Sequence, residues 1–307
     1  MRSRMIGRSG RLAVLAASAA LVLTTVAACG STRDGAGGAC PDTGVRFGIE
    51  PYEDPAKLKP AYEVLAGALE KKLGCNVELK VVDDYAGEVL AMRNDQLEIA
   101  QFGPLGYVFA SSKADAEPLV SFADAEGELT TYTGGIWVPE GSDIREVADL
   151  RGRSLALGEV GSTSGDALPR YALRKAGLAE KDVDIDYAGG HPEALLALTN
   201  GKVDAAEINS QQLASAKAEG SFDESKYRQL WKSDPVPNDP ITVRGNLAPE
   251  FKERIRKALL DLSPQDIAKV GKYLDVDPPG PLAEVDKKTY RALFDLATTL
   301  GLSEDDA

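Results

Sequence analysis

The chain has 307 residues, of which 43% are hydrophobic and 27% charged, and it carries a net charge of −13. This length allows two lobes on one chain, and the acidity argues against nucleic acid as a partner, since binding its backbone needs a basic face. With one histidine, three cysteines and no Cys-x-x-Cys or His cluster, no metal and no cofactor is expected.

Residues 1–28 read as an export signal. Arg2, Arg4, Arg8 and Arg11 precede an apolar run from Leu12 to Ala28 that no acidic residue interrupts. The run is short of the about 20 residues usual for a bilayer span. It ends at Val26-Ala27-Ala28-Cys29-Gly30, which resembles a bacterial lipoprotein cleavage box. On that reading Cys29 is the mature N-terminus and carries the lipid, and residues 29–40, rich in glycine, form a flexible tether. The protein is then extracytoplasmic and lipid-anchored to the bacterial cell membrane. The four leader arginines removed, the remainder carries −17. A small anion would therefore be held by local donors and not by the overall field.

Cys40 and Cys75 are left as an even pair in an oxidising compartment, where a disulfide is expected. Each stands just before a predicted strand, Val45–Ile49 and Val77–Val82, which neighbouring parallel strands would bring together. Closing such a loop stabilises by roughly 4 kcal/mol in the chain-entropy model.

Between those strands Leu58, Tyr62, Leu65, Leu69 and Leu73 recur at helical spacing, and Gly74 stops the helix. Further on, the pattern predicts a helix over 85–93, a strand over 98–102, a short helix opened by Pro104, and strands at 136–138 and 153–157. Helix 166–176, strand 183–187, helix 192–199 and strand 203–208 continue the alternation. Strands 227–231 and 241–243 follow, then helices 249–262, 264–274 and 281–300. Alternation of this kind predicts an α/β protein with mainly parallel sheets covered on both faces.

Residues 158–177 concentrate the chemistry. A short apolar run leads into Gly161-Ser162-Thr163-Ser164-Gly165 and then a helix. One hydroxyl suffices to cap a helix. Three in a row between glycines, where backbone N–H groups and the helix dipole favour negative charge, point to an anion site. The segment is not a nucleotide P-loop, because Asp166 stands where the lysine would be. Nor is it a hydrolase nucleophile elbow, because its centre is Thr163.

Several stretches, in order, resemble the substrate-binding proteins of ABC importers for phosphonate, phosphite or phosphate. They are Asp84–Gly87, Phe102–Tyr107, Gly161–Gly165, Ala188–His191, Asn200–Ala206 and Trp231–Pro240, spread over about residues 45–262. The resemblance implies the two-lobe periplasmic binding protein fold (type II), with residues 41–133 plus 240–307 in lobe 1, 134–239 in lobe 2 and the ligand between them. It implies a monomer that serves ABC permease subunits in the membrane. It places the oxyanion binders on Tyr85, Tyr132, Ser162, Thr163, Ser164 and His191, whose hydroxyl and imidazole donors suit a tetrahedral oxyanion.

At the substituent end, Asp239 matches an acidic residue that holds the ammonium of aminophosphonates, but Gln211 stands where those binders carry glutamate. Gly106 replaces a small hydroxyl, and whether Glu207 reaches the cleft is left open. This favours a phosphorus oxyanion with little cationic character. Two alternatives stand beside it: a phosphoester hydrolase using Ser162 or Thr163 with His191 and Asp239, and a receptor for a sulfonate or sulfate.

Overall fold

The computed structural model describes residues 39–302. The export signal 1–28, the lipidation position Cys29 and most of the 29–40 tether lie outside the described residues.

Strand β1 (Val45–Ile49) opens the first sheet, and helix α1 (Pro55–Leu73) follows it. The predicted helical stripe of Leu58, Tyr62, Leu65, Leu69 and Leu73 is buried throughout. Asp54 caps the start by accepting from the Ala56 N–H at 2.8 Å, and Gly74 ends the helix at φ +66°, a left-handed conformation open to glycine. Strand β2 (Val77–Val81) lies parallel to β1 with Val45 opposite Val77, and the Cys40–Cys75 disulfide joins the two strand starts.

Helix α2 (Tyr85–Arg93), strand β3 (Ile99–Gln101), helix α3 (Pro104–Lys113) and strand β4 (Glu117–Ser121) complete the first run. The chain then passes through β5 (Thr131–Tyr132) into a second sheet. That sheet is built from β6 (Gly135–Pro139), β7 (Ser154–Leu157), β8 (Asp184–Tyr187), β9 (Ala205–Glu207) and β10 (Tyr227–Lys232). Helices α4 (Leu168–Lys175), α5 (His191–Thr199) and α6 (Ser210–Ala218) connect its strands. The return crossing, β11 (Val236–Pro237), pairs with β5, and β12 (Ile241–Val243) re-enters the first sheet between β3 and β4. Helices α7 (Pro249–Leu260) and α8 (Pro264–Tyr273), edge strand β13 (Ala283–Glu284) and helix α9 (Arg291–Leu300) end the described chain.

The fold class is the expected one, an α/β architecture with helices on both faces of each sheet. α1, α7 and α8 cover one face of the first sheet, while α2, α3 and α9 cover the other. The strand directions depart from the expected mainly parallel pattern. β1 is parallel to β2 and β3, but β12 runs antiparallel to both its neighbours because it arrives from the opposite sheet. β6, which carries the chain the other way, is likewise antiparallel to β9 and β10. The helix expected over 281–300 is also shorter. Asp286 accepts from the N–H groups of Lys288 and Thr289, an Asx turn that delays the helix to Arg291.

Among the described residues no helix is long and apolar enough to cross a membrane.

Candidate functional site: a small anion cavity between the sheets

Parallel α/β sheets place their ligand crevice beyond the carboxyl ends of the strands, where helices begin. Both sheets do so here, around one small cavity of about 30 Å³. Tyr85 is the first residue of α2, and Thr163 opens the π-helical turn Thr163–Ala167 that leads into α4. His191 starts α5, and Gln211 lies in the first turn of α6. All eight residues expected from sequence, namely Tyr85, Tyr132, Ser162, Thr163, Ser164, His191, Gln211 and Asp239, line this cavity. Among the described residues no lysine or arginine lines it.

The hydroxyl turn is fully wired. Ser162 Oγ accepts from the Gly165 N–H at 3.1 Å, Asn209 Nδ2 donates to Ser164 Oγ at 3.1 Å, and the Leu105 N–H donates to Thr163 Oγ1 at 2.9 Å. Each oxygen thus accepts from the protein, leaving its own proton to donate. Burial holds the phenols of Tyr85 and Tyr132 well above their ordinary range, so both remain O–H donors. Gly165 is required by close approach. A Cβ there would stand 2.9 Å from Ser162 Oγ and 3.0 Å from His191 Cε1.

His191 Nε2 lies 3.3 Å from Ser162 Oγ, and Nδ1 lies 2.6 Å from Glu207 Oε1. Burial alone would lower the imidazole, but the charge and hydrogen bond of Glu207 overcome it and hold the pKa above its ordinary value. The raised value favours the form with a proton on both nitrogens, in which Nε2 donates. The open question about Glu207 is settled geometrically: it stands behind the histidine and not on the cavity wall. The expected alternative of a hydrolytic centre with Asp239 as its acid is not what the geometry assembles. The carboxylate on His191 is Glu207, while Asp239 is bonded to Gln101 Nε2.

Gln211 donates through Nε2 to Asn238 Oδ1 at 2.6 Å and to the Leu274 carbonyl at 3.1 Å, so its amide is tied into the wall of the first sheet. Asp239 accepts from Gln101 Nε2 at 3.3 Å, and burial raises its pKa to about 7. Sequence reading missed Glu50, Glu53, Tyr52 and Tyr273, which also line the cavity. Glu50 follows the last residue of β1, and its Oε1 accepts from the Gly103 N–H at 2.6 Å. The position just past the end of a buried strand was the only available signal for it.

Among the described residues no group of three or more His, Cys, Asp or Glu is placed to hold a metal ion.

The two sheets and their shared cavity are those of a type II periplasmic binding protein. A Prochlorococcus marinus protein solved in complex with methylphosphonate has this fold, with a TM-score of 0.73 at 17% identity over 84% of this chain and 98% of that one. Residues 47–290 match the family of phosphonate ABC transporter periplasmic substrate-binding proteins, and the chain belongs to it. It is 31% identical to the phosphonates-binding periplasmic protein of Escherichia coli over 69% of this chain, a match spanning 64% of that protein's length. It is 27% identical to the phosphate-import protein of Mycolicibacterium smegmatis over 80% of each chain. Members of the family are transporter substrate-binding components and not enzymes.

Proposed function

We propose that the protein is the receptor of an ABC importer, which captures a phosphonate, phosphite or phosphate anion outside the cytoplasm and delivers it to transmembrane permease subunits. The observation that carries this is the convergence of the three hydroxyls of residues 162–164, the phenols of Tyr85 and Tyr132 and the His191 imidazole on one buried cavity of about 30 Å³. Such a volume suits a group of few heavy atoms. The names of the relatives, which cite phosphonate, phosphate and methylphosphonate, support the same class of ligand.

Residues 41–133 with 240–307 and residues 134–239 act as two lobes, hinged where β5 and β11 pair, and the protein works as a monomer. Cys29 carries a lipid that holds the protein to the membrane, and Cys29→Ala is expected to abolish the lipid's added mass in intact-mass analysis.

Calorimetry with phosphate, phosphite, methylphosphonate, aminoethylphosphonate and sulfate tests the reading. Saturable one-to-one binding of a phosphorus oxyanion, lost in the Ser162→Ala/Thr163→Ala/Ser164→Ala variant, is expected. Binding of none of the phosphorus oxyanions, or full affinity in the triple variant, overturns it.

A further inference from the structure

Glu50 is out of place in an anion site. Its side chain is buried (2% exposed) and lines the cavity, yet only Oε1 has a protein partner, the Gly103 N–H. Oε2 is buried without any. The same carboxyl lies close to the anion turn. A Cβ on Gly103 would stand 2.6 Å from Glu50 Oε1 and 3.5 Å from Thr163 Oγ1, and a Cβ on Gly106 would stand 3.5 Å from Glu50 Oε2. The free oxygen therefore borders the space that a side chain at position 106 would take.

A carboxylate cannot face an oxyanion without a proton between them, because neither oxygen otherwise donates. Resting on the reading that the cavity takes a phosphorus oxyanion, we infer that Glu50 Oε2 and a ligand oxygen share one proton, and that this contact selects oxyanions basic enough to keep a proton near neutral pH, phosphonates and phosphate, over sulfate and sulfonates. A sulfonate brings no proton of its own and is a poor acceptor for one. With a phosphonate, the proton lies between two groups of comparable acidity, whichever of them carried it in.

The surroundings favour keeping that proton. Burial first, then the carboxyls of Glu88 on α2 and Asp239 before β12, hold Glu50 well above the ordinary carboxyl range, and Glu159 beyond β7 adds to this. The phenols facing it, Tyr52, Tyr62, Tyr85 and Tyr132, stay neutral. His191, across the cavity, has its pKa raised by Glu207, and its own proton adds a second pH dependence.

The test measures the affinity of the wild type and of Glu50→Gln for methylphosphonate and methanesulfonate between pH 5.5 and 9. The wild type is expected to prefer methylphosphonate and to lose affinity as pH rises through the pKa of the shared proton, roughly tenfold per unit for each proton lost. In Glu50→Gln the amide donates at any pH. Its slope is expected to be shallower by one proton, with the part due to His191 remaining, and its preference for phosphonate over sulfonate to shrink. A wild type that binds both anions equally, judged without any variant, overturns the inference, as does a slope and preference unchanged in a folded Glu50→Gln. So does aminoethylphosphonate binding that exceeds methylphosphonate and is the only binding lost in Glu50→Gln, since the carboxyl would then read an ammonium group. Failure of every phosphorus oxyanion to bind the wild type is a separate result, which overturns the proposed function and this inference with it.

Discussion

Thr163 Oγ1 accepts a hydrogen bond from the Leu105 N–H at 2.9 Å, so the turn after β7 of the second sheet caps the helix that follows β3 of the first. On the proposed function, one hydroxyl thus serves two purposes: its oxygen ties the sheets together and its proton is left for the ligand. Thr163→Val keeps the shape and removes both. A hydrogen bond to a charged group is worth about 1.5–3 kcal/mol, so affinity for methylphosphonate is expected to fall tenfold or more at about 1.4 kcal/mol per decade. Thr163→Ser is expected to retain most of it. Titration calorimetry on the three proteins checks this.

Glu207→Gln is expected to separate charge from contact at His191. With the carboxylate present, the imidazole pKa is raised, so anion binding that depends on its charge is complete at low pH and is lost as pH rises through that raised value. Without the carboxylate, burial dominates and the loss begins at lower pH. His191 is the only histidine in the chain, so its ring resonances in a proton NMR titration report the shift without overlap. An unchanged midpoint rejects the assigned role of Glu207.

The unliganded protein is expected to lose stability between pH 4 and 8. Asp239 has a folded pKa of about 7 against an ordinary 3.8, through burial foremost, so its contribution is present below the unfolded value and is lost as pH rises through the folded one. Asp239→Asn cannot ionise. Its melting temperature is expected to exceed that of the wild type at pH 8 and to match it at pH 4, with roughly 2–4 °C gained per kcal/mol. Equal melting curves at pH 8 would show that Asp239 is not desolvated in solution.

Gln211→Glu, which restores the glutamate of aminophosphonate binders, is expected to destabilise this protein. The Gln211 amide donates to Asn238 Oδ1 and to the Leu274 carbonyl, and a carboxylate would turn an acceptor on both. Leaving such groups unsatisfied costs about 1–3 kcal/mol, read as a lowered denaturation midpoint. A stable variant with new affinity for aminoethylphosphonate would contradict the structural role given to the amide.

Half of the cavity lining was legible in the sequence because its residues are neighbours in the chain or sit in short motifs at helix starts. Ser162, Thr163 and Ser164 announce themselves between two glycines, and Tyr85 and His191 each follow a strand. The parallel strands and α1 were legible for a similar reason, since a run such as Leu58 to Leu73 repeats over about four turns of one element. Glu50, Glu53 and Gln101 carried no such signal. Only the meeting of β1, β3 and β12 decides that Glu50 and Glu53 line a cavity and that Gln101 is buried behind Asp239. Strand direction was equally hidden, because β12 owes its orientation to an excursion of the chain through the other sheet. Two-residue strands such as β5, β11 and β13 are too short to show an alternation at all.

The groups around the cavity come from places as distant in the chain as Glu50 and Tyr273, several of them fixed by the end of a strand or the start of a helix. No contiguous fragment holds half a site with half the affinity. A chain still missing β12 lacks the anchored Asp239, and one in which α5 has not docked lacks His191. Loading with ligand is therefore a signature of complete folding. It also feeds back on that folding, since a ligand at a hundred times its dissociation constant adds about 2.7 kcal/mol to the folded state alone. Receptor molecules that finish folding where the nutrient is plentiful would resist proteolysis longer than those that finish in its absence, with no regulator needed to tell them apart.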